Sequence, residues 1–325
     1  MSSQSVSALP GVFNLLVVPN FTLMAYSSAV EPLRMANMLS GRDLYSWNTV
    51  SLTGEPTTSS SGVKLPCDYS IRDELPRGAL LVCGGVDIHR ANTPELQSWL
   101  KKAAKKYSPI GALCTGSFLL AEAQLLDGYR CTIHWEHIAT LRETHPNLVV
   151  SQELFEVDRD RYTCAGGVAA MDMMLHLLRK VHGAELSAAI SEQLICDRIR
   201  DKNDRQRIPL RHRLGTGQPK LLEAVSLMEA NIEEPMALDE LSRHIGLSRR
   251  QLERLFKTYL DCVPTRYYLQ LRLERARQLL LQTSMPVVDI ALACGFISAP
   301  HFSKCYRLIF GIPPREDRRR ATSAS

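Results

Sequence analysis

The residues best suited to chemistry lie in Gly111-Ala112-Leu113-Cys114-Thr115-Gly116, where an apolar run meets a helical pattern opening at Ser117. A thiol at such a strand-to-helix turn faces the space beyond the strand ends, and a helix N-terminus beside it is expected to lower its pKa. Covalent work also needs a general acid–base partner, and Thr115, not a histidine, follows Cys114. Ligands of open α/β sheets bind beyond the carboxyl ends of strands, which collects a set of ligand-binding candidates. Gly84, Gly85 and Val86 end one strand, Cys114 and Thr115 the next, and His134 and Trp135 follow a Cys131-Thr132-Ile133 strand. Backbone N–H groups at Gly84–Val86 and Cys114–Thr115 are expected to hold a carboxylate. Trp135 is expected to cover a cationic or quaternary ammonium group, and Phe21 and Met24, after the first strand, to close the site.

Two weaker constellations are set aside. His134 and His137 share a helical spacing with Cys131 upstream, but no further ligand stands nearby, so no metal is expected. Gly166-Gly167 is followed by no P-loop lysine; it is expected to allow close backbone approach before a helix from about 168 to 181. No cofactor is called for.

A second kind of chemistry is written near the C-terminus. Leu238, Leu241 and Ile245 recur at helical spacing, Gly246 permits a tight turn, and Ser248 is placed to cap the next helix. There Leu252, Leu255, Phe256 and Tyr259 form an inward stripe, leaving Arg249, Arg250, Glu253, Arg254 and Lys257 outward. A face so basic suits insertion into the major groove of double-stranded DNA. The pattern returns 50 residues later: Ile290, Ala291 and Cys294 point inward, Gly295 turns, and Ser298 caps a helix with Phe302, Tyr306, Ile309 and Phe310 inward. Ser298, Ala299, Pro300, His301, Ser303 and Lys304 are its DNA-binding candidates, mostly small side chains that read fewer bases. A helix from Pro264 to Gln282 joins the units and sets their spacing, roughly 34 Å for grooves one turn apart.

The elements that position these residues follow from periodicity. Residues 12–18, 45–53, 79–83, 110–113, 149–150 and 162–164 read as strands. Helices are expected over about 27–39, 93–106, 117–126 and 168–181. Strands alternating with helices predict a doubly wound, mostly parallel sheet, an α/β fold that the resemblance given below makes amidotransferase-like. After about residue 200 strand signals stop. Asp201–Gly217, with Pro209, Gly215 and Gly217, reads as a linker, and all that follows reads as helix. The expected organisation is therefore a domain over 1–200, a linker over 201–217, and an all-α domain with two helix-turn-helix units over 218–325.

Composition narrows the class. With 325 residues, 45% hydrophobic and 22% charged, the chain can bury two ordinary cores. No apolar run reaches the roughly 18 to 20 residues of a membrane span, so no membrane partner is expected. The Ser-rich start lacks a signal-peptide pattern and reads as a frayed tail. Nine cysteines without a CxxC pair fit a reducing cytoplasm. Residues 1–200 carry 18 Lys and Arg against 20 Asp and Glu, while residues 218–325 carry 16 against 12, which puts a polyanion partner at the C-terminal part.

The motifs carry a resemblance. ALACGFISAPHFSKCYRLIFGIPPREDR (291–318) resembles the signature of AraC/XylS regulators, and SRRQLERLFKTYLDCVPTRYYLQLRLERARQLL (248–280) resembles that family's first recognition helix and connector. Asp317 departs from the aromatic residue usual before the final Arg318, which bears on the packing of the tail. GALCTGSFLLAEAQLLDGYRCTIHWE resembles the PfpI/ThiJ superfamily, related to class I glutamine amidotransferases, in the branch fused to AraC-type domains. Hydrolytic members place a histidine after the cysteine. Enzymatic members also have a glutamate four residues before a helix-start proline; here that proline resembles Pro32 and the matching residue is Ser28, with Glu31 elsewhere on the helix. The resemblance therefore implies no enzyme but a transcription regulator, an activator by expectation, that senses a small effector. It implies a homodimer, a double-stranded DNA operator and RNA polymerase as partners. The similar regulators respond to arginine, carnitine or glycine betaine. The alternatives are an enzyme using Cys114 and a domain that serves only dimerisation.

Overall fold

The computed structural model describes residues 9–196, 200, 201, 204, 206 and 210–323, with side chains to 320. The Ser-rich start and much of the expected linker lie outside the described residues. Contacts divide the chain into two compact units, Met1–Gln206 and Arg207–Ser325.

The first unit runs β1 (Val12–Val17), α1 (Leu23–Ser40), β2 (Ser46–Ser51), β3 (Thr57–Thr58), β4 (Lys64–Leu65), β5 (Tyr69–Ser70), β6 (Ala79–Cys83) and α2 (Pro94–Ala103). It continues with β7 (Ile110–Leu113), α3 (Gly116–Glu122), β8 (Arg130–Cys131), α4 (Trp135–Thr144), β9 (Val149–Val150), β10 (Phe155–Asp158), β11 (Arg161–Cys164), α5 (Ala169–His182) and α6 (Ala184–Gln193). Seven strands form one sheet in the order β10-β11-β7-β6-β1-β2-β5. All pairings are parallel except β10 with β11.

The apolar runs have a direct reason. Phe13, Leu15 and Val17 of β1 join a core with residues of α1 and α5, while Leu16 joins a second core with residues of α2 and α3. Both faces of the central strands are covered, so the fold is a doubly wound α/β sheet. The expected 131–133 strand is shorter, since only Arg130–Cys131 pairs, with β9 and outside the main sheet.

The second unit is helical among its described residues: α7 (Leu210–Arg213), α8 (Pro219–Ala230), α9 (Leu238–His244), α10 (Arg249–Leu260), α11 (Pro264–Gln282), α12 (Val287–Ala293), α13 (Ala299–Phe310) and α14 (Pro314–Ser323). Helix α7 lies inside the stretch read as linker. Helix α11 is a shared spine: Tyr268 sits in the core with α8, α9 and α10, and Leu273, Ala276, Leu279 and Leu280 sit in the core with α12 and α13. Gly246 and Gly295 turn with φ of 70° and 72°, the left-handed region that favours glycine. Asp317 is no defect of the tail. It is buried in α14, accepts the Tyr306 hydroxyl at 2.7 Å and pairs with Arg277 of α11 at 3.0 Å, so it ties the tail to α13 and α11.

Candidate functional site

Cys114 occupies a strained turn, with φ of 59°. Its amide donates to the Cys164 carbonyl at 3.1 Å, and its carbonyl accepts from the His134 amide at 3.4 Å. Glycines close on it from two neighbouring strand ends. A Cβ on Gly166 would lie 2.5 Å from Cys114 Cβ, and one on Gly84 would lie 2.3 Å from the Gly116 nitrogen. Gly166 thus permits the close approach read from sequence, against the elbow itself. The Thr115 hydroxyl donates to the Gly85 carbonyl at 2.7 Å, so its side chain locks the two turns together.

Burial pushes the Cys114 thiol up from its ordinary value, although the Thr22 hydroxyl and the Thr115 amide both favour the thiolate. The expected lowering by the helix N-terminus is therefore corrected: desolvation outweighs it. Thr22 stands at the N-cap position of α1 without capping it, and its hydroxyl donates instead to Cys114 Sγ at 3.5 Å. Helix α1 begins at Leu23, so Pro32 lies inside it and not at its start. Ser28 is buried, and Glu31 is held by Arg34 at 2.6 Å. Among the described residues no carboxylate or imidazole bonds to Cys114.

The remaining pocket candidates separate. The Gly84 and Val86 amides donate to the carbonyls of Leu113 and Asn20 at 3.1 and 3.0 Å, so they are committed to the fold and not free for a carboxylate. Phe21 is fully buried, with its ring edge-on to Tyr26, and belongs to the core and not to a lid. Met24 and Val86 are 59% and 57% exposed, so neither closes a buried site. His134 precedes α4 with Nδ1 3.6 Å from the Glu136 carboxylate and its ring 5.7 Å from Trp135. Glu136 was not singled out from sequence, yet its charge is felt at Cys114.

Behind this wall, His89 meets Phe118 edge-on at 4.5 Å and lies 6.4 Å from His137. Burial, then the like charges of His89 and His134, push His137 down to about 3. Burial also lowers His89 against the charges of Glu122 and Asp87, and lowers His134 against Glu136. From about pH 6.5 downwards the unfolded chain takes up protons that the folded unit excludes, so stability present above that pH is lost as the pH falls towards 3. The first unit is expected to melt lower at about pH 5 than at about pH 7, and His137→Gln to shrink the difference, in scanning calorimetry.

Two residues that sequence reasoning passed over anchor the segment leaving this unit. Arg200 donates through Nη2, Nε and its backbone N–H to the fully buried Asp172 carboxylate at 2.7, 3.0 and 3.0 Å. Gln206 Nε2 lies 2.9, 3.0 and 2.9 Å from Thr132 Oγ1, the Ile133 carbonyl and the Glu153 carbonyl. Thr132 and Ile133 lead directly into His134, and Asp172 lies in the first turn of α5, just beyond Gly166-Gly167. Buried acids and multiply satisfied amides leave no periodicity signal.

In the second unit, Ser248 and Gln251 form a reciprocal capping box at the start of α10. Arg250, Arg254 and Lys257 are exposed, and Leu252 and Phe256 are buried, as the amphipathic pattern requires. Tyr259 is corrected: it is 45% exposed, because the stripe narrows at the helix end. Arg249 is tied to Glu253 at 3.1 Å and Asp239 at 3.7 Å, and Lys257 is paired with Asp261. Arg250 and Arg254 have no side-chain partner among the described residues. On α13, Pro300, His301 and Lys304 are exposed while Ala299 and Ser303 are half-buried. Ser298 holds the N-cap position without a side-chain cap bond, a second correction; Pro300 near the helix start removes one donor that needs capping.

Residues 16–180 match the DJ-1/PfpI family and residues 241–320 match a helix-turn-helix domain family. HTH-type transcriptional regulator GbdR of Pseudomonas aeruginosa is 55% identical over 309 residues, covering 95% of this chain and 84% of the relative. HTH-type transcriptional regulator ArgR of the same organism is 45% identical over 320 residues, covering 98% and 96%. The crystal structure of an AraC family transcriptional regulator from Pseudomonas putida aligns with 31% identity and a TM-score of 0.52, over 57% of this chain and 100% of that one. No helix among the described residues is long and apolar enough to cross a membrane. With a DJ-1/PfpI fold before paired helix-turn-helix units, the chain belongs to the AraC-type DNA-binding transcriptional regulators.

Proposed function

We propose that the protein is an effector-responsive transcription activator of the cytoplasm, acting as a homodimer on a double-stranded DNA operator and on RNA polymerase. The first unit, over about residues 1–200, binds a small amino-acid-like or quaternary ammonium metabolite of the arginine, carnitine or glycine betaine type. The carrying observation is the Cys114 elbow, whose buried thiol is bonded, among the described residues, by Thr22 and the Thr115 amide and by no carboxylate or imidazole. A nucleophile so placed lacks the base that hydrolysis requires, while its position beyond the strand ends is where ligands of such sheets bind. Trp135, His134 and the exposed Met24 are the contacts this reading assigns to the effector; Glu136 supplies a negative charge for its cationic end. The anchors at Arg200 and Gln206 tie the end of the first unit to segments that lead to His134 and to Gly166-Gly167. Arg250, Arg254 and Lys257 of α10, with Pro300, His301 and Lys304 of α13, are the assigned DNA contacts.

A thermal-shift series with arginine, carnitine and glycine betaine tests the sensor. One of them is expected to raise the first melting transition by about 2.7 kcal/mol of stabilisation at a concentration of 100 times its Kd. Cys114→Ser is expected to keep operator binding unchanged and to alter the effector response only moderately. Turnover of any of these compounds that disappears in Cys114→Ser would replace the sensor with an enzyme.

A further inference from the structure

The two helix-turn-helix units have helices of equal length and differ in the turn that joins them. Helices α10 and α13 begin at 249 and 299, whereas α9 and α12 begin at 238 and 287, so the second turn is one residue longer. Only Leu247, half-buried, separates Gly246 from Ser248; Phe296 and Ile297 separate Gly295 from Ser298. Phe296 takes the inward place, packed on Phe302 at 5.2 Å with Arg272 over its ring at 4.2 Å. The added residue is therefore Ile297, and it is 98% exposed.

The outward face of α13 continues that apolar character. Pro300 stands where α10 has Arg250, and Leu308, 80% exposed, stands where α10 has Thr258. At about 100° per residue, Pro300, His301, Lys304 and Leu308 share one side of α13, opposite the buried Phe302 and Tyr306. This is the side corresponding to Arg250 and Arg254 on α10. The face is thus the counterpart of the α10 face assigned to DNA, and Lys304 and Arg307 give it the positive charge that phosphates require.

We propose that the second unit reads thymine C5-methyl groups through Ile297 before α13 and Leu308 further along it, while the first unit reads guanine through Arg250 and Arg254. The thymine methyl is the apolar group on the major-groove edges of the bases, and residues at the start of a recognition helix approach those edges. A β-branched side chain left fully in water gains by covering a methyl, worth about a fourfold change in affinity for each methyl buried. The longer second turn carries Ile297 to that edge; the shorter first turn has no counterpart for it.

The test uses full-length protein and a duplex that it selects from a random-sequence pool. Thymines are replaced singly by deoxyuridine, which removes the methyl and nothing else, and bound and free fractions are compared. The wild type is expected to lose about fourfold in affinity for each sensitive thymine, confined to one half-site. Ile297→Ser and Leu308→Ser, both at exposed positions, are expected to keep the melting temperature and to abolish that sensitivity. Arg254→Ala is expected to weaken binding but keep it. Absence of thymine sensitivity in the wild type, or its persistence in the Ile297→Ser/Leu308→Ser double variant, overturns the proposal. Unchanged DNA affinity and sensitivity in the double variant, together with lost transcription activation, overturns it in favour of a protein partner on this face.

Discussion

Arg254→Ala is expected to weaken operator binding roughly 5- to 150-fold while reducing non-specific binding much less. Arg250 and Arg254 lie one turn apart on α10, both exposed and without a side-chain partner among the described residues. Each is free to present a two-donor fork to guanine, a contact that discriminates by about 1–3 kcal/mol. The neighbouring cations are differently placed. Arg249 is engaged by Glu253 and Asp239, and Lys257 by Asp261, so binding there must first break or share an ion pair. Exposed pairs of this kind contribute about 0–1 kcal/mol, too little to keep Lys257 from a phosphate. Lys257→Ala is therefore expected to weaken all sequences alike and to reduce the slope of log affinity against log salt by about one. Gel-shift titrations on operator and scrambled duplexes at two salt concentrations separate the cases. Equal losses on both duplexes for Arg254→Ala would make Arg254 a backbone clamp and not a base reader.

Gly166→Ala is expected to destabilise the first unit by about 3 kcal/mol or more, lowering its melting temperature by roughly 6–12 °C. Two costs combine. Gly166 has φ of 87°, where an L side chain is strained, and its added Cβ would lie 2.5 Å from Cys114 Cβ and 2.8 Å from Cys114 Cα. Cys114 cannot retreat easily, because its amide is bonded to Cys164 and its carbonyl to His134. Gly41→Ala is the control: φ of 64° carries the backbone strain, yet nothing lies within 4 Å of its Cβ. It is expected to cost about 1 kcal/mol. Scanning calorimetry on the full chain reads both, and the melting of the second unit is expected to stay unchanged. A Gly166→Ala loss no larger than that of Gly41→Ala would show that the elbow yields without strain.

Much of the architecture can be read from local pattern, and the reason is periodicity. Val12–Val17, Ala79–Cys83 and Ile110–Leu113 are apolar on consecutive residues because helices cover both faces of the sheet. Helices α8 to α13 are legible because a half-buried helix repeats its apolar residues every three or four positions, with Gly246 and Gly295 marking the turns. The basic face of α10 follows from the same repeat. The strand-to-helix turn at Cys114 is legible too, since a short apolar run ending in Cys-Thr-Gly has few other ways to fold.

What periodicity cannot carry is the environment of a single group. Cys114 has a helix N-terminus beside it in sequence, but only packing decides that its sulfur is buried, which raises its pKa against the Thr22 and Thr115 hydrogen bonds. The Gly84 and Val86 amides look available in a loop, and become committed when that loop meets Leu113 and Asn20. Phe21 follows a strand as a lid residue would, yet its ring turns into the core. The Asp317–Tyr306–Arg277 cluster and the Arg200 and Gln206 anchors join residues 11 to 74 positions apart. The main strands and helices, and which helix face is basic, reside in the sequence because each depends on neighbours within a turn or two; the short strands β3 to β5 and helices α4, α6 and α7 carry no such pattern. Burial, hydrogen-bond commitment and charge state depend on distant segments meeting, and those are properties of the tertiary structure alone.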